Sequence, residues 1–322
     1  MRILVCGAGG FIGGHLVKSF LGQPGVHVRA VDIKYVRDWH QSFADAENYT
    51  LDLSRKSHCD QAVDGMDVVY NLAADMGGMG FIERNKGLCM LSVLINTHLL
   101  MAARDAKVKR YFYASSACVY AADKQRSILD CGLKESDAYP ASPEDGYGWE
   151  KLFSERMCRH FSEDFGLSTR VARLHNVYGP YGTWRGGREK APAAICRKVI
   201  LAKLQKQMDS EIEIWGDGKQ TRSFMWIGDC IKGIHLIMDG SYLDPINLGS
   251  AEQVTVNHLV TLVERIAGVR LLRHYDPLAP RGVQCRSSDN TMIQKLYGWE
   301  PLTPLEQGLK HTYQWIEKQM EK

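Results

Sequence analysis

A chain of 322 residues, 45% hydrophobic and 24% charged, has the apolar content to bury a full core, and its length suits one large α/β domain or one and a half. Its formal net charge of +3 lacks the strong basic excess of a nucleic-acid binder. The longest apolar stretch, 88–103, is broken by Ser92, Asn96, Thr97 and His98 and falls short of the ~20 apolar residues of a membrane span, so neither nucleic acid nor membrane is an expected partner.

Nine cysteines are scattered along the chain, odd in number and without a CxxC pair. With no secretory leader ahead of the first strand, they predict reduced thiols and a cytoplasmic location. Residues 2–6 (RILVC) are a short apolar run and predict a buried parallel strand. Gly7, Gly10 and Gly13 follow in a GxxGxxG pattern. Such glycines allow a tight turn and bring backbone N–H groups to a pyrophosphate at the start of a helix, predicted over 15–21. Strand 26–32 ends in Asp32, placed to accept hydrogen bonds from an adenosine ribose and to repel a 2′-phosphate. The predicted cofactor is NAD rather than NADP, although Lys34 and Arg37 lie close; a solvated strand-end aspartate is the alternative.

A short strand at 49–53 carries Asp52, and the strand 67–74 ends in small residues that let a cofactor approach the backbone. The glycine- and methionine-rich stretch 75–82 (DMGGMGFI) joins strand to helix. In an open α/β sheet ligands bind beyond the carboxyl ends of the strands, so this stretch is expected to touch substrate; a plain connector is the alternative. Residues 88–106 are apolar on nearly every face and predict a buried helix. Strand 109–116 runs into Ser116, Ala117 and Cys118. A helix is predicted over 147–165 and a strand over 169–174, followed by His175 and Asn176. From 181 the pattern changes to a charged, glycine-rich loop over 182–192. Then come a helix at 193–207, a strand at 211–215, a hairpin-type turn at 216–218 and a helix near 229–238. A strand at 245–248 is expected to return to the first domain. A helix at 256–267, a strand at 269–274 and a helix at 305–320 complete the chain.

Tyr147 and Lys151 stand one helical turn apart and leave the same face. An ammonium beside a phenol favours the phenolate, which makes Tyr147 a candidate base against a reference pKa of ~10. An exposed pair on a solvated face is the alternative reading of two such residues alone.

Ser116, Tyr147 and Lys151, together with the glycine turn, resemble the extended short-chain dehydrogenase/reductases that process nucleotide sugars. Within that group, 73–82 (AADMGGMGFI), 115–120 (SSACVY), 186–193 (GGREKAPA) and 220–224 (QTRSF) are similar to the GDP-mannose 3,5-epimerase family. Residues 121–122 and a longer 201–210 segment depart from that family's pattern.

The resemblance implies an α/β fold: a Rossmann-type doubly wound parallel sheet with a smaller C-terminal α/β substrate-binding domain. Residues 1–176 plus about 229–250 would form the NAD-binding domain, and 177–228 with 251–322 the nucleotide-sugar domain. Gly7, Gly10, Phe11, Ile12, Gly13, Asp32, Asp52, Leu53, Ala73, Tyr147 and Lys151 would hold NAD. Gly77, Ser116, Asn176, Glu189, Lys190, Ala191, Lys198, Gln220, Thr221, Arg222 and Arg286 would line the GDP-sugar site, with Arg281 a rival to Arg286. Arg and Lys suit diphosphate oxygens. The implied reaction is redox-neutral: C4 is oxidised, the neighbouring carbons C3 and C5 exchange protons and invert, and C4 is reduced again. GDP-mannose would become GDP-L-galactose, or GDP-L-gulose when only C5 inverts. Tyr147 with Lys151 and Ser116 would serve C4, and Cys118 and Lys190 would be the acid/base pair, once tuned toward neutrality. An inert core thiol and a diphosphate-binding or exposed lysine are the alternatives for those two. A dehydratase of the group would carry Asp-Glu at Ala117–Cys118, a simple 4-epimerase would leave Cys118 and Lys190 idle, and a non-catalytic NAD sensor would have no need of Tyr147 or Lys151. The apolar stretches 88–106 and 147–165 predict a homodimer joined through helices.

Overall fold

Apolar runs with few interruptions form the strands of a seven-stranded sheet in the computed structural model, which describes residues 1–126, 132–205, 210–279 and 282–321. All pairings are parallel, in the order Ile246–Leu248, Thr169–Leu174, Arg110–Ser116, Val68–Asn71, Arg2–Cys6, His27–Asp32, Glu47–Thr50. The chain starts near the middle, builds outward to Glu47–Thr50, then crosses back and builds the other way. The reversal falls between Arg2–Cys6 and Val68–Asn71, and a doubly wound sheet opens its ligand crevice beyond the ends of such a strand pair.

Alternation along each strand feeds two layers of core. Ile3 and Val5 pack with Leu16, Phe20, Ile234 and Ile237 of the helices Phe11–Phe20 and Ile227–Asp239. Leu4 and Cys6 pack on the opposite face with Ala62, Leu99, Leu100, Cys158 and Phe161, from the helices Lys56–Val63, Val93–Asp105 and Tyr147–Phe165. A third core joins the helices Ala191–Gln205, Val256–Ala267 and Leu305–Met320 through Val199, Leu259 and Leu309. Beside it lies a mixed sheet in the order Gln253–Thr255, Thr221–Ser223, Cys285–Ser288, Gly132–Leu133. Its parallel register sets Arg222 directly beside Arg286.

Several expectations need correction. The glycine turn feeds its helix at once, from Phe11 rather than 15. The strand expected at 49–53 is Glu47–Thr50, so Asp52 and Leu53 lie past its end, and the one expected at 269–274 is Leu272–Asp276. The glycines around 216–218 do not close a hairpin, because Glu211–Trp215 pairs in parallel with Leu272–Asp276. The buried helix of 88–106 divides into Lys86–Met90 and Val93–Asp105. Residues Lys86–Asp105 meet the length and mean hydropathy, 1.4, of a membrane span. Yet their inner face packs into the core, where Asn96 accepts the Tyr111 hydroxyl at 2.8 Å, while Leu88, Met90, Leu91 and Leu94 are exposed. Seven described cysteines are free and buried, whereas Cys285 is disulfide-bonded, against the expectation of reduced thiols throughout.

Two glycines set the helix Tyr147–Phe165. Gly166 ends it in the left-handed conformation, φ 69°, returning its N–H to the carbonyls of Phe161 and Ser162. Gly148 presses its first turn onto the end of Arg110–Ser116: a Cβ there would lie 2.4 Å from the Cys118 carbonyl oxygen. Urea unfolding should place Gly166→Ala about 1–2 kcal/mol below the parent, the usual cost of a left-handed residue with a Cβ. It should leave activity intact, since open space surrounds the site of the added carbon. Gly148→Ala should lose about 1–3 kcal/mol by overpacking and lose activity as well, because Tyr147 moves with it. Unchanged stability and activity in Gly148→Ala would show that the contact is slack.

Candidate active site

Two clefts meet at the carboxyl ends of the parallel strands. The larger, about 720 Å³, runs over the glycine turn, and the smaller, about 330 Å³, opens toward the mixed sheet. Gly77, Ser116, Tyr147, Asn176 and Lys190 line both.

The larger cleft gathers the residues expected to hold a dinucleotide: Gly7, Gly10, Phe11, Ile12, Gly13, Asp32, Asp52, Leu53, Ala73, Tyr147 and Lys151 all line it. Gly7 takes φ 78°, and a Cβ at Gly13 would lie 2.1 Å from the Gly7 carbonyl oxygen, so a side chain at either would break the turn. The helix Phe11–Phe20 starts here, and first-turn N–H groups have no acceptor within their helix. Asp32 ends its strand 7% exposed, with Oδ1 accepting the Lys34 amide at 3.0 Å. Lys34 Nζ donates to the Gly9 carbonyl at 2.6 Å. Ser54 holds the Asp52 carboxyl below the usual carboxylate range. Amides at a helix N-terminus with a strand-end carboxylate fit the pyrophosphate and ribose of NAD.

Where the clefts join, Tyr147 is 5% exposed and Lys151 3%. Lys151 Nζ lies 5.4 Å from the Tyr147 ring centre, donates to the Ala114 carbonyl at 3.2 Å and sits 3.5 Å from Glu150 Oε2. The phenol is therefore not drawn toward neutrality as expected. Burial raises it well above its ordinary value, with Cys118 and Glu150 adding and Ser116, hydrogen-bonded to it, opposing.

The smaller cleft gathers Gly77, Ser116, Asn176, Glu189, Lys190, Ala191, Lys198, Gln220, Arg222 and Arg286 together with Cys118. Thr221 is the exception, its hydroxyl donating to Cys285 Sγ at 2.9 Å. Arg281 lies outside the described residues. Burial pushes the Cys118 thiol up to about 11, helped by Glu144 and resisted by Arg286 and Ser116. Burial pulls Lys190 down, with Cys118 partly restoring it. Only the lysine is thus tuned toward neutrality; the thiol is tuned away. Burial beside Arg286 pushes Arg222 down to about 10. Glu189 accepts from Arg197 at 3.1 Å and from the Gly187 amide at 2.7 Å, and Lys198 pairs with Glu213 at 3.2 Å. The Gln220 side-chain oxygen is buried without a partner among the described residues.

The residues sequence reasoning missed are charged neighbours. Glu144 pairs with Arg286, Arg188 pairs with Asp75 at 2.6 Å and lies over the Phe81 ring, and Glu213 with Trp215 lines the far wall. No spacing marks them, because their partners arrive from elsewhere in the chain.

The chain has relatives among known proteins. Over 100% of the chain it is 45% identical to GDP-mannose 3,5-epimerase 1 of Oryza sativa subsp. japonica, covering 83% of that protein. It is 44% identical to GDP-mannose 3,5-epimerase of Arabidopsis thaliana, again over 100% of the chain and 84% of the relative. The fold is shared with UDP-glucose 4-epimerase from Thermotoga maritima, solved with UDP-glucose, at TM-score 0.88 and 24% identity over 99% and 100% of the two chains. UDP-glucuronic acid 4-epimerase from Bacillus cereus, in complex with UDP-glucuronic acid and NAD, superposes at TM-score 0.83 with 24% identity, over 99% and 100%. The NAD dependent epimerase/dehydratase family matches residues 3–249, and the chain belongs to that family.

Proposed function

We propose that the chain epimerises GDP-mannose at C3 and C5, giving GDP-L-galactose and, when C5 alone inverts, GDP-L-gulose. The observation that carries this reading is the placement of Cys118 and Lys190 in a cleft shared with Ser116 and Tyr147. A 4-epimerase needs no acid/base pair beyond the one at C4, and this chain has a second. The full-length likeness to two plant GDP-mannose 3,5-epimerases supports the same reading.

NAD⁺, which the glycine turn and Asp32 would hold, would supply the hydride acceptor for C4 beside Tyr147. Ser116 hydrogen-bonds the C4 oxygen, and Tyr147 takes and later returns its proton. Lys151, held by Ala114 and Glu150, orders that corner of the cleft. With C4 as a ketone, loss of a proton from C3 or C5 gives an enolate. In the resting chain Cys118 holds its proton and Lys190 gives its proton up more readily than an ordinary lysine. A thiol that donates and an amine that accepts, exchanging roles as each centre turns over, suit inversion by removal on one face and delivery on the other. Arg222 supplies charge for the diphosphate end of the substrate, whereas Arg286 is engaged by Glu144, Gln125 and the Cys118 sulfur.

The redox and epimerisation steps should separate. In D₂O with GDP-mannose, Cys118→Ala should accumulate bound NADH while deuterium uptake at C3 and C5 falls roughly 10²–10⁴-fold, the range for a positioned acid/base group. Tyr147→Phe should show neither NADH nor deuterium. Wild-type exchange at both carbons in Cys118→Ala would reduce Cys118 to a core thiol.

The functional unit is a homodimer. Phe153 is 51% exposed and Trp149 45% on Tyr147–Phe165, and Leu91, 58% exposed, lies in the turn between Lys86–Met90 and Val93–Asp105, the two helices packed against it. Leu88, Met90 and Leu94 extend the same apolar surface. Exposed apolar residues gathered on neighbouring helices suit an interaction site, and a second copy of the same helices would cover them across a two-fold axis. Light scattering at micromolar concentration should give twice the chain mass, and Phe153→Glu should give a folded monomer. A monomeric parent protein would sink the assignment.

A further inference from the structure

Glu144 lies three residues before Tyr147, outside every motif in the chain, yet its side chain is only 10% exposed. Its own N–H donates to the Cys118 carbonyl at 3.0 Å, so its backbone is fixed against the turn that carries the thiol. Oε1 accepts a hydrogen bond from Arg286 Nη2, while Nη1 of the same guanidinium reaches Cys118 Sγ at 3.6 Å and Nε donates to Gln125 at 2.7 Å. The planar guanidinium therefore bridges carboxylate and sulfur. Oε2 has no hydrogen-bond partner among the described residues, though it is buried and its residue lines the smaller cleft. A buried carboxylate oxygen without a partner is costly and calls for an explanation; the Cys118 side chain is itself hydrogen-bonded to this carboxylate.

We propose that Glu144 is a positioning residue for the acid–base step: clamped by Arg286, its carboxylate fixes the direction of the Cys118 sulfur and holds the proton on it in the resting enzyme. The proposal deepens the epimerase reading and rests on it for the catalytic consequence. The balance of charge around the sulfur supports it. Glu144 from the loop before the Tyr147 helix disfavours the thiolate. Arg286 from Cys285–Ser288, Arg222 from Thr221–Ser223, Lys190 from the loop before Ala191–Gln205 and the Ser116 hydroxyl all face the same atom and favour it. The Tyr147 phenol, neutral when protonated, completes the surround. Among these groups the one fixed negative charge is Glu144. Removing it leaves the cations unopposed, and the thiol should ionise at lower pH. A sugar hydroxyl that donates to Oε2 would weaken the same field, so occupation of the cleft would itself prime the sulfur.

The test needs no substrate. In protein labelled with [3-¹³C]cysteine, the Cys118 Cβ resonance is the one missing from Cys118→Ala, and its shift reports thiol against thiolate. Glu144→Gln keeps shape and a hydrogen bond to Arg286 but loses the charge. Its Cys118 titration should move down by about one pH unit or more, each unit being a tenfold change in the thiol–thiolate ratio. Glu144→Asp keeps the charge and should titrate close to the parent. Bound NAD content should match the parent in both variants, which checks the fold. With GDP-mannose in D₂O, the pH profile of exchange in Glu144→Gln should shift downward by the same amount, while NADH formation persists. An unmoved or raised Cys118 titration in Glu144→Gln would overturn the proposal, as would an equal shift in Glu144→Asp. If the titration moves as expected but GDP-mannose gives no exchange in the parent protein, the epimerase reading fails and the role of Glu144 on the sulfur stands.

Discussion

The site depends on one contact between backbones. The first turn of Tyr147–Phe165 lies against the Cys118 carbonyl, in the turn that follows Arg110–Ser116, so closely that only glycine fits at 148. That approach brings Tyr147 beside Ser116 and sends Lys151 down to the Ala114 carbonyl of the same strand. It also traps Cys118 between a strand end and a helix start, where its N–H donates to Ser116 Oγ at 3.2 Å. A bulkier residue at 148 would lift the helix and carry Tyr147 and Lys151 away from Ser116 and Cys118.

Keeping that helix in place requires the chain to bury charge, which is expensive unless each charge is matched. Arg173 meets both oxygens of Glu155 at 2.9 and 2.8 Å, and Ser115 donates to the same carboxylate at 2.5 Å. Tyr120 and His175 both reach Asn247 Oδ1, tying the turn after Ser116 to the last strand of the large sheet. Burial pulls His175 down to about 3, so it stays neutral at any ordinary pH and serves as a hydrogen-bonding spacer rather than a proton carrier. Such networks contribute little net stability, but they fix which strand ends lie next to which. The clefts are defined by those ends.

The interior of the fold was legible because its signals are local. Tyr147–Phe165, Thr169–Leu174, Glu211–Trp215, Val256–Ala267 and Leu305–Met320 fall where periodicity and apolar runs place them. So do the residues of the glycine turn, whose neighbours in sequence are their neighbours in space. Legibility fails where the deciding partner is distant. The turn at 216–218 looked like a hairpin until Leu272–Asp276 arrived to pair in parallel. The raised Tyr147 phenol was not legible because residue spacing does not say how deeply the ring is buried or that Cys118 and Glu150 crowd it. Glu144 was invisible because its partner Arg286 lies 142 residues away.

The two clefts need a common wall for a chemical reason. A cycle that oxidises C4, exchanges protons at its neighbours and reduces C4 again cannot release the sugar between steps, because a free keto-sugar would carry the oxidation away with it. The sugar must present C4 to one set of groups and the adjacent carbons to another without leaving. Ser116, Tyr147, Asn176 and Lys190 stand at that junction, reached from four segments: a strand end, a helix start, a residue strained to φ 27° after Thr169–Leu174, and the loop before Ala191–Gln205. Asn176 holds its place by donating to the Ser223 carbonyl at 3.1 Å, while its own carbonyl accepts the Met225 amide at 3.1 Å. The junction is therefore stitched to the strand that carries Arg222. In the proposed cycle Arg222 would meet the substrate's charged end and the junction its sugar carbons, and both are positioned by the same short run of backbone, so that reach would be set by the fold rather than by flexible side chains.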